Sequence, residues 1–482
     1  MPSIIVDQAR LILFLNMFLL IEAQKQYFLD DRVRNDQHNC GYNHTLRGYL
    51  SLLKPNVLDI MHEVRSGLGS RDYYEMYSTF IDKFGPRPSG SETLEKAIDY
   101  MKDLTNKNGV FDVHTEDVMV PEWKRGLESL KMLRPRLKQL SILGIGLSVP
   151  TDGKITAEVI VVSSFEELES IDNAIIKGKI ILFNTNFTTY ENTIQYRRNS
   201  AVKAARKGAV AVLVRSITPI SLYTTHTGDL VYEPHVKKIP AAAITIEDAD
   251  FLQRIHNRGE VIVIEIQMSN ELKANISRNL IIDVKGYDIP DKMVIVSGHI
   301  DSWDVGQGAI DDGGGMMISW FVPVVLNYLK LKPRRTLRAI LWTSEEVGLN
   351  GAKAYLERHS DELDNIDFIM ESDEGTFKPL GLEVAGSKNV TCLINEILQL
   401  FKPWDLNRLK VANSTGSDIS IFIDKGIPGA SLLNKDDRYF WYHHSNADTL
   451  TAQNKSDVLD CAAFWAAISY LIAELPVDIR RS

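Results

Sequence analysis

Three apolar segments in the second half of the chain restrict the fold more than any other feature. They read MVIVSG, TLRAILWTS and NIDFIMES, and their β-branched and aromatic residues predict buried strands. A helix-like stretch, GGGMMISWFVPVVLNYL, follows the first segment, and a second one, from about Leu349 to Arg358, follows the next. Strands that alternate with helices predict an α/β fold with a mainly parallel sheet flanked by helices.

Polar side chains come at the carboxyl end of each predicted strand. His299 ends the first strand, Glu345 and Glu346 follow the second, and Asp373 follows the third. Taken singly, each has an ordinary explanation, because adjacent glutamates on a surface loop are usually solvated. In parallel sheets, however, ligands bind at the carboxyl ends of the strands, so we expect these four side chains to converge on a functional site.

A glycine-rich stretch after the first strand adds further candidates. GHIDSWDVGQGAIDDGGG contains His299, Asp301, Asp311 and Asp312, and it is either a solvated acidic loop or a metal-binding turn. Asp301 is predicted to accept a hydrogen bond from the ring nitrogen of His299 that faces away from a metal. Carboxylate and imidazole donors without thiolates favour zinc or a similar divalent ion, and a bridging carboxylate allows two ions. A histidine of YHHSNADT is a further candidate ligand.

The first 23 residues are typical of a secretory signal peptide. An apolar run from Leu11 to Ile21 is too short to span a bilayer comfortably, and Ala23 suits a cleavage site. An uncleaved membrane anchor is the alternative interpretation. The polar residues 24–60 are interpreted as a propeptide or an N-terminal arm, and no other segment resembles a membrane span.

Other features of the composition agree with a secreted protein. The six candidate N-glycosylation sites are Asn43, Asn186, Asn275, Asn389, Asn413 and Asn454. Three cysteines are too few for a disulfide framework, and Cys461, in an apolar run, is predicted to be a buried thiol. A formal net charge of −9 without a long basic run argues against a nucleic-acid partner.

The length of 482 residues allows two or three domains. Residues 61–150 and 270–482 are assigned to one catalytic domain. Residues 151–269, in which short β-branched runs alternate with short helices, are assigned to an inserted α/β domain. His226 and His235 of the insertion are interpreted as structural residues.

Several motifs resemble the co-catalytic zinc aminopeptidase family that includes glutamate carboxypeptidase. They are GHIDSWDVGQGAIDDGGG, LWTSEEVGLNGA, MESDEG, STGSDISIFIDKGIPGASLL and YFWYHHSNADT, and the similarity runs from about residue 60 to the C-terminus. Residues 155–268 are similar to the protease-associated domain that this family inserts into its peptidase domain. The resemblance implies a zinc aminopeptidase-like fold and two Zn²⁺ ions per chain.

The resemblance also implies a role for each candidate. The implied roles are the bridging carboxylate for Asp311, ligands of one zinc for His299 and Asp373, ligands of the second zinc for Glu346 and His444, and the general base for Glu345. A cis peptide bond between Asp311 and Asp312 is expected as well.

Two adjacent histidines compete for the last ligand position. Family members have the ligand histidine four residues before an acidic residue and a threonine, and His444, Asp448 and Thr449 fit that spacing. Several relatives have a tyrosine before the ligand histidine, which polarises the scissile carbonyl group. This chain has His443 at that position, so the role is either absent or performed by His443.

The implied function is that of a secreted or lysosomal zinc metallopeptidase. The resemblance implies a homodimeric dipeptidase that hydrolyses unblocked dipeptides and short peptides. The candidate glycosylation sites and residues 24–60 indicate a glycoprotein made as a zymogen. A broad aminopeptidase, a glutaminyl cyclase and a non-catalytic, receptor-like member of the same fold are the alternatives. The complete ligand set and base argue against the receptor, and the inserted domain argues against the cyclase.

Overall fold

A computed structural model describes residues 44–480 of the chain. The predicted signal peptide, Cys40, Asn43 and the greater part of the predicted N-terminal arm lie outside the described residues. Residues 44–60 belong to a continuous helix, His44–Ser66, in which Leu53 and Ile60 are buried. The predicted domain boundary at residue 60 therefore falls inside a helix, because the apolar spacing of that helix continues past the boundary.

The strands of the described residues form two sheets of eight strands each. In chain order they are β1 (Val113–Lys124), β2 (Glu128–Arg134), β3 (Lys138–Gln139), β4 (Leu143–Gly144), β5 (Ile155–Val162), β6 (Ile180–Phe183), β7 (Ala211–Arg215), β8 (Ala241–Ile244), β9 (Val263–Met268), β10 (Glu271–Val284), β11 (Ile289–His299), β12 (Arg335–Trp342), β13 (Ile366–Glu371), β14 (Pro379–Ala385), β15 (Arg408–Ala412) and β16 (Gly429–Asn434).

The α-helices lie before, between and after these strands. They are α1 (His44–Ser66), α2 (Leu68–Phe84), α3 (Glu92–Lys107), α4 (Phe165–Ser170), α5 (Asn173–Ile176), α6 (Tyr190–Thr193), α7 (Gln195–Arg198), α8 (Ser200–Arg206), α9 (Ile246–Asn257), α10 (Gly314–Tyr328), α11 (Asn350–Arg358), α12 (Lys388–Leu398), α13 (Ser420–Ile423), α14 (Tyr439–Tyr442) and α15 (Lys455–Glu474).

The first sheet has the order β1-β10-β12-β11-β13-β16-β14-β15. Its central strands β12, β11, β13 and β16 run parallel to one another. The pairs β1–β10, β10–β12 and β14–β16 are antiparallel, so the sheet is mixed, and the predicted parallel pairing describes its centre. The carboxyl ends of β11, β12 and β13, where the candidate ligands occur, therefore meet at one edge.

Two long apolar helices, α10 and α15, pack against each other and against the central strands of this sheet. By length and hydropathy alone, the segments Ala309–Tyr328 and Lys455–Glu474 could each cross a membrane. Both are mostly buried inside the molecule, as core helices of globular proteins are. Cys461 lies in α15 as a free, fully buried thiol, as predicted.

The second sheet has the order β3-β2-β9-β5-β6-β7-β8-β4, and residues 128–268, which contain all its strands, are called the second-sheet unit below. The insertion was predicted to begin at residue 151, whereas this sheet takes its first strand at Glu128. The reason is a long-range pairing, because β2 runs antiparallel to β9 at the far end of the unit, with Leu130 opposite Ile266. Two apolar clusters of buried residues fill the unit, one on each face of its sheet.

Candidate metal centre

The candidate ligands meet at the carboxyl edge of the first sheet. His299 is the last residue of β11, the middle strand of the parallel trio β12-β11-β13. Glu345 and Glu346 follow β12 after two residues, and Asp373 follows β13 after one. The strand pattern in the sequence thus places these side chains correctly, because neighbouring parallel strands end at the same edge.

The first group of ligand atoms surrounds the ring of His299. Its Nε2 atom lies 3.1 Å from Oδ1 of Asp311 and 3.0 Å from Oδ1 of Asp373. His299 is fully buried, and Asp311 is 4% exposed. Their ligand atoms are close enough to hold one metal ion together.

The second group surrounds the ring of His444. Its Nε2 atom lies 3.2 Å from Oδ2 of Asp311 and 3.1 Å from Oε2 of Glu346. The two carboxylate oxygens of Asp311 thus face different groups, Oδ1 toward His299 and Oδ2 toward His444. A carboxylate in this position is suited to bridge two ions.

His443 also reaches the second group. Its Nε2 atom lies 3.6 Å from Oδ2 of Asp311, and its ring stacks on that of His444 with 3.5 Å between the centroids. Asp311, His443 and His444 could therefore hold an ion as well. Of the two histidines, only His444 is within 3.2 Å of both Asp311 and Glu346, which favours it as the ligand.

The donor set fits a divalent cation. Among the described residues, Asp311, Glu346 and Asp373 form ion pairs with histidines and with no lysine or arginine. Oδ2 of Asp311 and Oε1 of Glu346 are buried without a hydrogen-bond partner in the described structure. Buried carboxylate oxygens of this kind are costly unless a cation compensates them, and oxygen and imidazole donors suit zinc.

The pKa shifts at the centre reflect the same crowding of negative charge. Burial raises the pKa of Glu346 well above its usual value, and the Asp311 carboxylate raises it further. For Asp311 itself, burial acts upward, but the adjacent imidazoles of His299 and His444 hold its pKa well below the usual value. The Asp373 carboxylate overcomes the effect of burial on His299 and raises the pKa of its imidazole well above the usual value.

Asp301 contacts the centre differently from the prediction. The Nδ1 atom of His299 lies 3.0 Å from the backbone oxygen of Asp301, whereas its carboxylate oxygen Oδ1 is 3.7 Å away. That carboxylate instead accepts hydrogen bonds from the backbone N–H groups of Glu345, at 3.0 Å, and Glu346, at 3.4 Å. The turn after β11 brings the carbonyl group to the ring, so Asp301 fixes His299 with its backbone and the Glu345–Glu346 turn with its side chain.

The loop that carries Asp311 is held by Asp448. The Asp448 carboxylate accepts hydrogen bonds from the N–H groups of Ala309 (2.9 Å), Ile310 (2.7 Å) and Asp311 (3.3 Å). The peptide bond between Asp311 and Asp312 is cis, as expected. The Asp312 carboxylate accepts from backbone groups, with Oδ2 bonded to the N–H of His299 at 3.1 Å and Oδ1 to that of Gly315 at 3.0 Å.

Sequence reasoning missed two residues close to the ligands. The Ser417 hydroxyl donates a 2.5 Å hydrogen bond to Oδ2 of Asp373. Ser417 belongs to the family-like motif STGSDIS, which could have marked it as a candidate. Tyr439 is 4% exposed, and its ring lies 5.1 Å from that of His443. Burial, with the negative charge of Asp311, raises the pKa of the Tyr439 phenol well above its usual value, so this phenol stays protonated.

The candidate glycosylation sites differ in accessibility. The side chains of Asn186, Asn389, Asn413 and Asn454 are exposed. Asn275 is half-buried in β10, and its amide nitrogen donates to the backbone oxygen of Gly90 (2.9 Å) and to Oε2 of Glu122 (2.7 Å). A glycan on Asn275 would replace one of the two N–H groups that make these contacts, so at least one of them would be lost.

Comparison with known proteins identifies the family. A model of peptidase family M28 matches residues 279–469. Carboxypeptidase Q of Xenopus laevis is 44% identical over 456 residues, which make up 92% of this chain and 96% of that protein. The crystal structure of a peptidase M28 precursor from Shewanella amazonensis covers 89% of this chain and 98% of its own, with a TM-score of 0.84 and 29% identity. A zinc aminopeptidase from Bacillus subtilis shares the fold, with a TM-score of 0.65 at 21% identity over 84% of this chain and 96% of its own.

The match to the Xenopus laevis protein is long as well as strong, and the family model covers every candidate ligand and the candidate base. The chain therefore belongs to peptidase family M28 and is a metallopeptidase, similar to carboxypeptidase Q along most of its length.

Proposed function

We propose that the chain is a dinuclear zinc peptidase that hydrolyses unblocked dipeptides and short peptides. The observation that carries this proposal is the position of Asp311, whose two carboxylate oxygens lie 3.1 Å from His299 and 3.2 Å from His444. One zinc would be held by His299, Asp311 and Asp373, and the other by Asp311, Glu346 and His444. When bound, zinc lowers the pKa of a water and stabilises negative charge on the substrate's carbonyl oxygen.

Glu345 is the proposed general base. Burial raises the pKa of its carboxyl group well above the usual value, and the Asp373 and Glu346 carboxylates add to that shift. A carboxylate with a raised pKa binds a proton more strongly, so Glu345 is suited to take a proton from the attacking water. The protonated carboxyl group then returns the proton to the leaving amine. Asp301 holds the backbone of Glu345 in place throughout, at 3.0 Å.

His443 is the proposed group that polarises the scissile carbonyl. Burial lowers the pKa of its imidazole well below the usual value, and the neighbouring His444 lowers it further. The ring is therefore neutral, and a neutral imidazole can donate one hydrogen bond to a carbonyl oxygen. The contact of His443 with Asp311, at 3.6 Å, supports a position beside the substrate's reacting group.

The substrate size is proposed from the second-sheet unit. Its residue His226 forms a β-bridge with Ser445, next to the proposed ligand His444. This contact places a large structural unit beside the ligands, where it would restrict the length of a bound peptide. The name of the Xenopus laevis relative, carboxypeptidase Q, also favours an exopeptidase.

The remaining parts of the proposal concern secretion, proteolytic processing and assembly of the protein. The apolar run from Leu11 to Ile21 and the exposed sequons support entry into the secretory pathway, with a secreted or lysosomal glycoprotein as the product. Residues 24–43 are proposed as the segment that would be removed from a zymogen, because residues 44–60 belong to helix α1 and contribute buried side chains. A homodimer is proposed as the assembly. No membrane span is proposed for the mature chain, since both long apolar helices are buried.

Two measurements on the purified protein test the proposal. Elemental analysis should give two zinc ions per chain, and chelation should abolish an activity that added zinc restores. The ratio kcat/KM should be highest for a free dipeptide, lower for a pentapeptide with the same first residue and much lower for the N-acetyl dipeptide. Equal values for dipeptide and pentapeptide would indicate a broad aminopeptidase. No hydrolysis of any peptide by zinc-loaded protein would indicate a receptor-like member of the fold.

A further inference from the structure

The second-sheet unit makes a continuous set of contacts with the segment that carries the two histidines, residues 439–446. The backbone N–H of Thr227 donates to the backbone oxygen of His444 at 2.9 Å, and His226 Nδ1 lies 2.7 Å from the backbone oxygen of His443. The Thr218 hydroxyl donates to the backbone oxygen of Phe440 at 2.7 Å. The conformation of this segment therefore depends on residues about 220 positions earlier in the chain.

One of these contacts acts on the imidazole of His444 directly. The Nδ1 atom of His444 lies 3.2 Å from the backbone oxygen of Thr227. A carbonyl oxygen can only accept a hydrogen bond, so the 3.2 Å contact needs the proton of the neutral ring on Nδ1. The 3.5 Å contact of Nδ1 with the donor Nη1 of Arg197 would need the opposite tautomer, and it is the longer of the two contacts. With the proton on Nδ1, the lone pair of Nε2 is free on the side where Asp311 and Glu346 lie, at 3.2 and 3.1 Å. Hydrogen bonds of this kind fix the tautomer and orientation of metal-binding histidines.

The buried guanidinium of Arg197 supports the same carbonyl group. Arg197 is 3% exposed, and its Nη1 atom donates to the backbone oxygen of Thr227 at 3.2 Å and lies 3.5 Å from Nδ1 of His444. Its Nε atom donates to the backbone oxygen of Asp229, and its Nη2 atom donates to the Tyr190 hydroxyl at 3.0 Å. A Cβ atom at Gly228 would lie 2.1 Å from Cζ of Arg197, so only glycine permits this close approach.

We propose that Arg197 is a positioning residue of the metal centre, which acts through the carbonyl group of Thr227 to hold His444 ready to bind zinc. The second-sheet unit then sets the zinc affinity of the group formed by Asp311, Glu346 and His444, in addition to flanking the cleft. This inference rests on the proposed dinuclear site. It assigns no contact between Arg197 and the substrate.

The chain offers a matched control in the next residue. Arg197 and Arg198 lie on the same helix and pair with the same carboxylate, that of Asp229, at 3.4 and 2.8 Å. The Arg198 side chain is 43% exposed, and in the described structure no hydrogen bond joins it to His444. Arg197→Met and Arg198→Met remove the same charge from neighbouring positions. Arg197→Lys keeps a cationic donor that can reach the carbonyl of Thr227, and Tyr190→Phe removes only one of the partners of the guanidinium.

The experiment measures zinc affinity by chelator competition and follows the visible absorption of Co²⁺ titrated into the metal-free proteins. Arg197→Met should lower the affinity for one of the two zinc ions about 10–100-fold, as loss of an outer hydrogen bond to a ligand histidine does. Its affinity for the other zinc ion should not change. Arg197→Lys should recover part of that affinity, and Arg198→Met should match the wild type. Excess zinc should restore turnover in Arg197→Met if the residue acts only through metal binding.

Two results would overturn the inference. The first is that folded Arg197→Met binds both zinc ions with wild-type affinity. The second is that Arg197→Met binds both ions equally weakly and that Arg197→Lys restores neither affinity, which would indicate a general structural role. If Arg197→Met does not fold, Arg197→Gln replaces it, because its shorter, uncharged side chain cannot place a donor where Nη1 of Arg197 lies. Weaker binding of one ion by folded Arg197→Gln supports the proposal, and wild-type affinity for both ions overturns it. A wild-type protein that binds a single ion would instead contradict the proposed dinuclear site.

Discussion

The chemistry of single residues at this centre depends on how closely like charges are placed. Asp311, Glu346 and Asp373 approach two imidazoles to within 3.0–3.2 Å, and within the described structure they form no ion pair with a lysine or an arginine. Substitution can test two assignments: Glu345 as the general base, and His444 rather than His443 as the zinc ligand.

Glu345→Gln should lower kcat about 10²–10⁴-fold, the usual effect of losing a general base. The amide keeps the size of the side chain, and the backbone of residue 345 remains bonded to Asp301, so zinc content and thermal unfolding should match the wild type. Steady-state kinetics together with elemental analysis check this prediction. Near-normal turnover would show that another group takes the proton.

The two stacked histidines should respond differently to substitution by alanine. His444→Ala should lose one zinc and nearly all activity, because its Nε2 atom faces both Asp311 and Glu346. His443→Ala should keep both ions and lower kcat, because its ring lies beside the site without reaching Glu346. Zinc per chain in the two variants is the measurement. Loss of zinc from His443→Ala alone would exchange the two roles.

At the scale of elements, the centre is formed where three parallel strands end and one loop turns back. β12, β11 and β13 deliver Glu346, His299 and Asp373, and the loop after β11 delivers Asp311. That loop has no strand partner at Ala309–Asp311, so its N–H groups depend on the Asp448 carboxylate. The geometry of Asp311, the proposed bridging residue, is therefore set by a side chain from a distant turn.

Asp448→Ala should reduce both stability and zinc binding. It leaves buried backbone donors at 309–311 without an acceptor, and each such donor costs roughly 1–3 kcal/mol. Asp448→Asn is the matched control, because its amide oxygen can still accept from Ala309 and Ile310. Urea unfolding midpoints and zinc content of the two variants are the measurements. Equal loss in both variants would mean that the charge, and not the acceptor geometry, matters.

At the scale of the whole molecule, two sheets meet at one centre, and the interior around that centre carries acidic groups that lie outside the proposed ligand set. Glu371 and Asp418 are fully buried near Asp373. Burial, with the charge of Asp373, raises the pKa of Glu371 to about 8. The folded metal-free protein should therefore bind protons that the unfolded chain has already lost, and its stability should depend on pH.

The sign follows from the raised pKa. Between the ordinary carboxyl pKa near 4.5 and the folded value of about 8, folded Glu371 binds more protons than the unfolded chain, so stability falls as pH rises. From pH 6.5 to 8 the chelated protein should lose about 1–2 kcal/mol through this group. Thermal unfolding of chelated wild type and Glu371→Gln at both pH values is the measurement, and the variant should show the smaller loss. Equal losses would exclude Glu371 as the cause.

The sequence by itself determined the strands and the side chains at their ends. Apolar β-branched runs such as MVIVSG are local patterns, and parallel neighbours end at a common edge, so the convergence of His299, Glu345, Glu346 and Asp373 could be predicted without coordinates. The spacing of His444 to Asp448 likewise depends on a short stretch of chain. The first prediction placed its residues at one edge of the sheet because period is a property of neighbouring positions. The choice of His444 by its spacing to Asp448 stays a prediction.

Only the tertiary structure decided how these residues are held. It showed that His299 Nδ1 contacts the carbonyl oxygen of Asp301 and not its carboxylate. It also showed that β2 pairs with β9, a strand that begins more than a hundred residues later, at Val263. It also brought Thr227 to His444, a contact across 217 positions of sequence. Such contacts depend on which backbone atoms meet after distant elements have packed, and no local pattern of residue types carries that information.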